Sequence, residues 1–132
     1  MKKGFTLIEL IVVVAIIALL LATIMVSLSN VKSKSRDAQR MANMRELNNA
    51  LNLYENSTMQ YPVYNGNITG SDPMSNALKT VKSMMQTPTD PLNSAPYIYT
   101  YTSDGTSFVL GFCLETDSIQ GYSQGCGNTI TP

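Results

Sequence analysis

Positions 10–22 are apolar without a break, thirteen residues in a row. Widened to 5–26, the stretch is 22 residues interrupted only by Thr6, Glu9 and Thr23. As a helix rising 1.5 Å per residue it reaches about 33 Å, enough to cross a bilayer core of roughly 30 Å. The ordinary alternative is a buried core helix. A chain of 132 residues has no interior that could cover such a helix on every side, so the segment reads as a membrane helix.

The helix does not stop where the apolar run ends. No Gly or Pro occurs between Phe5 and Tyr61, and those two residues interrupt helices most strongly. Beyond Val26 the pattern becomes amphipathic. Leu47, Ala50, Leu51 and Tyr54 fall at i, i+3, i+4 and i+7, and Met41 and Met44 extend the same stripe. The spacing predicts one helix over 5–56, apolar all round in its first half and one-sided in its second.

From Ser57 onward the texture is that of loops and strands. Five of the six prolines lie between Pro62 and Pro96, and seven of the eight glycines follow Tyr61. Asn65-Gly66-Asn67 and Gly70-Ser71-Asp72-Pro73 read as loop. Leu78, Val81, Met84 and Met85 suggest a short helix. Positions 97–102 alternate as a strand does, Asp104-Gly105 supplies a turn, and 107–115 returns as a second strand. The fold class is therefore α+β, a long helix packed on a small antiparallel sheet that covers its apolar face.

Composition removes most enzyme classes. There is no histidine, which excludes Ser-His-Asp and Cys-His catalysis and the commonest metal ligand. Two cysteines cannot build a four-thiolate zinc site. Nine basic residues balance nine acidic ones. Region by region, 1–26 carries +1, 27–56 carries +2 and 57–132 carries −3. Glu9 stands out, because a carboxylate inside a bilayer costs several kcal/mol unless it is paired. Its bland reading is an interfacial carboxylate reaching the headgroups.

Lys3-Gly4-Phe5-Thr6-Leu7-Ile8-Glu9-Leu10, followed by the apolar run, closely resembles the prepilin leader and first helix segment of type IV pilins and type II secretion pseudopilins. The resemblance is strongest over residues 2–30 and continues loosely through 35–40, 51–54 and Gln60-Tyr61-Pro62. Asp90-Pro91-Leu92-Asn93 with Tyr97, Ile98 and Tyr99 is similar to the Asp-Pro-Trp-Gly…Tyr-x-Tyr stretch of major pseudopilins, with Leu92 in place of Trp and Asn93 in place of Gly.

The resemblance implies a pilin-like subunit in four parts: a leader (1–4), a transmembrane and filament-core helix (5–26), its amphipathic continuation (27–56) and a globular loop and sheet region (57–132). A prepilin peptidase would cut between Gly4 and Phe5, and Phe5 would become the N-methylated terminus. Glu9 would meet the Phe5 amine of a neighbouring subunit, since a lone carboxylate at low dielectric is costly and a slipped subunit leaves it unpaired. Partners would be membrane lipid before assembly, copies of the same chain in a helical filament, and pilus or secretion machinery. The place would be the cytoplasmic (inner) membrane as a single pass with the globular part outside, then a surface or periplasmic filament.

Two departures bear on this. Ala18 and Val26 occupy positions where many relatives carry Gly and Pro, and neither breaks a helix. The acid- and Gly-rich calcium segment of pseudopilins is replaced by Glu115-Thr116-Asp117-Ser118 and Gly125-Cys126-Gly127. No cofactor is expected; Glu115 and Asp117 are the candidate ligands should calcium bind, against the ordinary reading of solvated acids. Cys113 and Cys126 stand where that loop would be, in a compartment where disulfides persist. A bridge between them is expected, the alternative being two reduced thiols. Lys32, Lys34, Arg36, Arg40 and Arg45 form a basic stripe that a DNA-uptake pilin would present to phosphates; the blander reading is a solvated or subunit-contacting helix shoulder, and no specific nucleic acid is expected. The expectation is a structural subunit of a type IV pilus-like filament and not an enzyme, with a secretion pseudopilin as the nearest alternative and an adhesive or DNA-uptake pilin as a further one.

Overall fold

The computed structural model describes residues 4–132, with the backbone alone at 23–27. Residues 1–3 of the expected leader lie outside the described residues. Helix α1 runs Leu7–Thr58, 52 residues, two residues off the expected range at each end. The chain divides into two compact units, the first ending at Ser33 and the second spanning Lys34–Pro132. In the first unit, every residue of α1 from Leu7 to Ala22 is exposed.

In the second unit the expected stripe is the buried one. Met41, Met44, Leu47, Ala50 and Leu51 are buried and Tyr54 packs against them. Truncating a core leucine such as Leu47 or Leu51 costs about 2–5 kcal/mol. The last turn uses side chains in place of a glycine cap. Ser57 Oγ and Thr58 Oγ1 donate to the carbonyls of Leu53 and Tyr54 at 3.1 and 2.9 Å. Met59 then adopts φ +62° and breaks the helix.

The sheet has four antiparallel strands in sequence order: β1 (Tyr64–Asn67), β2 (Thr100–Ser103), β3 (Phe108–Leu114) and β4 (Gly125–Ile130). The expected hairpin is β2–β3, with Ser103 opposite Phe108. Its turn holds Gly105 at φ +96°, and Asp104 Oδ1 accepts from the N–H groups of Thr106 and Ser107. Tyr99, Tyr101, Phe108, Leu110, Phe112 and Leu114 line the core with the helix stripe. The Tyr61 ring meets Phe108 edge-on at 4.8 Å between centroids.

Two corrections concern strands. Asn65-Gly66-Asn67, read as loop, pairs with residues 100–102 as part of β1. The carboxy-terminal strand β4 carries no alternating pattern, and its pairing with β3 defines it. The short helix is also displaced: of the four residues expected in it only Leu78 is helical, and Val81, Met84 and Met85 lie beyond its end. Helix α2 is Pro73–Thr80. Asp72, read as loop, caps it: Oδ1 accepts from Ser75 N at 2.9 Å and Oδ2 from Ser75 Oγ at 2.7 Å. Pro73 occupies the first helical turn, where its missing N–H costs nothing.

Candidate functional site

The amino-terminal segment is organised around Thr6 and Glu9. Thr6 N and Thr6 Oγ1 both donate to Glu9 Oε2 at 2.8 Å, and Glu9 N donates back to Thr6 Oγ1 at 3.3 Å. This is a reciprocal capping box, with Thr6 as the cap and Glu9 three residues on, satisfying two of the N–H groups that every helix start leaves without partners. The Thr-x-x-Glu spacing in the sequence was the available signal for it. Phe5 is 83% exposed just outside the cap, and the space around Gly4 is open for 4 Å. The Gly4-Phe5 bond thus precedes the first helical turn.

A second constellation ties α1 to the rest of the second unit. Arg40 is fully buried and meets three carboxylates. Its Nε and Nη2 donate to Asp90 Oδ2 and Oδ1 at 2.6 and 3.1 Å, and its Nη1 donates to Asp37 Oδ1 and Glu115 Oε1 at 2.7 Å each. The Tyr97 ring lies 4.6 Å from the guanidinium carbon. Arg36 forks onto both oxygens of Glu115. Asp37 also receives Glu115 N at 2.9 Å, and Thr116 N and Oγ1 at 2.8 and 2.7 Å. Burial alone would lower the Arg40 guanidinium, but the hydrogen bonds to Asp90, Glu115 and Asp37 outweigh it and hold the proton more tightly than usual.

This cluster revises the basic stripe. Arg40 is buried and Arg36 is engaged by Glu115, so neither is a solvated shoulder residue. Lys32, Lys34 and Arg45 are exposed. Glu115, one of the two candidate calcium ligands, gives its oxygens to two arginines, while Asp117 Oδ1 accepts from Gln124 N at 2.6 Å. Among the described residues, no group of three or more His, Cys, Asp or Glu side chains is placed to hold a metal ion. Cys113 and Cys126 form a disulfide between directly paired residues of β3 and β4.

Among the described residues, no helix is long and apolar enough to cross a membrane. The expected span 5–26 runs into positions 23–26, whose side chains are not described.

No curated protein and no solved structure matches the chain. Residues 1–25 match the family model of the prokaryotic N-terminal methylation motif. That motif implies processing by a prepilin peptidase and entry into pilus-type assembly, and it covers Gly4, Phe5, the Thr6–Glu9 box and the apolar run. The long helix on a four-stranded antiparallel sheet agrees with a pilin-like fold. Over residues 1–25, then, the chain carries the prokaryotic N-terminal methylation motif, the segment in which it resembles type IV pilins and pseudopilins.

Proposed function

We infer that the chain is a structural, non-enzymatic subunit of a type IV pilus-like filament, drawn from the cytoplasmic membrane after cleavage between Gly4 and Phe5 and N-methylation of Phe5. The methylation motif over residues 1–25 carries this reading. The exposed run from Leu7 to Ala22 supports it, since so much apolar helix surface needs lipid before assembly and neighbouring helices afterwards. In the membrane the segment 5–26 serves as the anchor, with the second unit outside. In the filament, Glu9 turns from its own Thr6 toward a neighbour's Phe5 amine, and the pairing sets axial register.

One observation favours a type II secretion pseudopilin as second reading. Asp90, the first residue of the pseudopilin-like Asp-Pro stretch, anchors Arg40 of the helix. A DNA-binding surface gains less support, because two of the five basic side chains are committed to carboxylates.

Shearing filaments from producing cells and measuring intact subunit mass tests the proposal. The expected mass is that of a chain beginning at methylated Phe5. Glu9→Ala should leave membrane insertion intact and abolish polymer. A terminus near Thr23, or normal filament yield from Glu9→Ala, would overturn it.

A further inference from the structure

A groove of about 680 Å3 opens between the outer face of α1 and the irregular segment after α2. Glu46, Asn49 and Leu53 form one wall, and Met85, Gln86 and Thr89 the other. Its lining mixes polar and apolar side chains, and two of the apolar ones stand out into solvent: Met85 is 72% exposed and Leu53 is 53% exposed. Glu46 is the one charged side chain among the residues lining it, and it too is exposed. The groove therefore suits a helix face that offers apolar side chains to Leu53 and Met85 and a single cation to Glu46.

The chain itself has such a surface. Leu28, Val31, Lys32 and Ser35 fall at i, i+3, i+4 and i+7, so they share one face of α1. All four are exposed, with Leu28 and Val31 each more than half so. A helical polymer is built from heterologous contacts, in which one patch of a subunit meets a different patch of the next. The groove and the 28–35 face are two such patches, each with exposed apolar side chains, one with a single acid and the other with a single cation. We propose that the groove receives the 28–35 face of a second copy of this chain, Leu28 and Val31 against Leu53 and Met85, with Lys32 against Glu46. The proposal rests on the filament reading above and names a lateral contact separate from the Glu9 pairing.

Charge exchange in the full-length chain tests it, read as sheared filament yield relative to processed subunit in the membrane. Glu46→Lys and Lys32→Glu should each lower the yield by about tenfold or more, because each sets like charges against each other in a close contact. Glu46→Lys combined with Lys32→Glu should restore it, which also rules out misfolding as the cause of the single defects. Unchanged yield in the single variants, or no recovery in the double variant, would overturn the groove contact. The filament reading fails separately, if the wild-type chain yields no polymer or if Glu9→Ala matches wild type.

Discussion

Arg40 and Asp90 lie fifty positions apart in the chain and meet through two hydrogen bonds of 2.6 and 3.1 Å, both side chains fully withdrawn from solvent. Burying such a pair is costly, and removing one member is worse, because it leaves the other charged and unanswered. Arg40→Ala strands the buried Asp37 and Asp90 at once.

Arg40→Ala should therefore destabilise the second unit by about 3–5 kcal/mol, the cost of breaking a buried ion pair. Arg40→Lys should recover only part of this. A single ammonium cannot reproduce the fork onto Asp90 while also reaching Asp37 and Glu115. Urea unfolding of the Lys34–Pro132 fragment measures both. Full stability of Arg40→Lys would show that point charge, not guanidinium geometry, organises the cluster.

The disulfide closes a loop over a sequence separation of 13. In the chain-entropy picture such a loop contributes about 3 kcal/mol, by restricting the unfolded state. Reduction of the same fragment should lower its melting temperature by on the order of 10 °C or more. A shift under 2–3 °C (roughly the effect of well under 1 kcal/mol) would mean that strand pairing alone holds β4.

Tyr99 and Tyr101 should titrate late. Burial pushes each phenol up to about 12, although Asn43 donates to Tyr99 Oη at 3.1 Å. Tyr101 Oη donates to the Pro62 carbonyl at 2.8 Å. The folded state thus holds these protons more tightly than the unfolded state, whose phenols ionise near the ordinary value of about 10. Stability is fully present below about pH 10 and falls as pH rises toward 12. Of seven tyrosines, these two should ionise last in an absorbance titration, together with unfolding. Early ionisation of both would contradict their burial.

Where sequence and structure agree, the signal was local and periodic. The absence of Gly and Pro before Tyr61 and the 41–54 stripe specify α1, and the alternation after Tyr97 with Asp104-Gly105 specifies the β2–β3 hairpin. What was not legible depends on partners distant in sequence. Asn65-Gly66-Asn67 has loop composition, yet it becomes strand because β2 offers it a ladder. There an added Cβ on Gly66 would lie 2.5 Å from the Tyr64 hydroxyl, so a larger residue needs that ring to swing aside. β4 contains two glycines at positive φ and is set against β3. The Arg40 cluster joins residues 50 to 79 positions apart, which no periodicity reports. Its members looked like a charged helix shoulder because nothing in the helix itself says which arginine faces inward. The Thr6–Glu9 box, by contrast, was written in a four-residue spacing and overshadowed by the larger question of why an acid sits in an apolar run.

The two outer strands of the sheet have a bearing on crowding. In the proposed filament a subunit would sit among identical copies at very high local concentration, the circumstance in which open strand edges zip together into aggregates. Here one border strand is four residues of Tyr-Asn-Gly-Asn, and the other opens with Gly125, bridged Cys126 and Gly127. The first is short and polar, and the second is twisted through positive φ at Gly125 and Gly127, so each is a poor template for a further strand. Sideways sheet growth is thereby discouraged, and helical surfaces remain the route by which copies can stack in order.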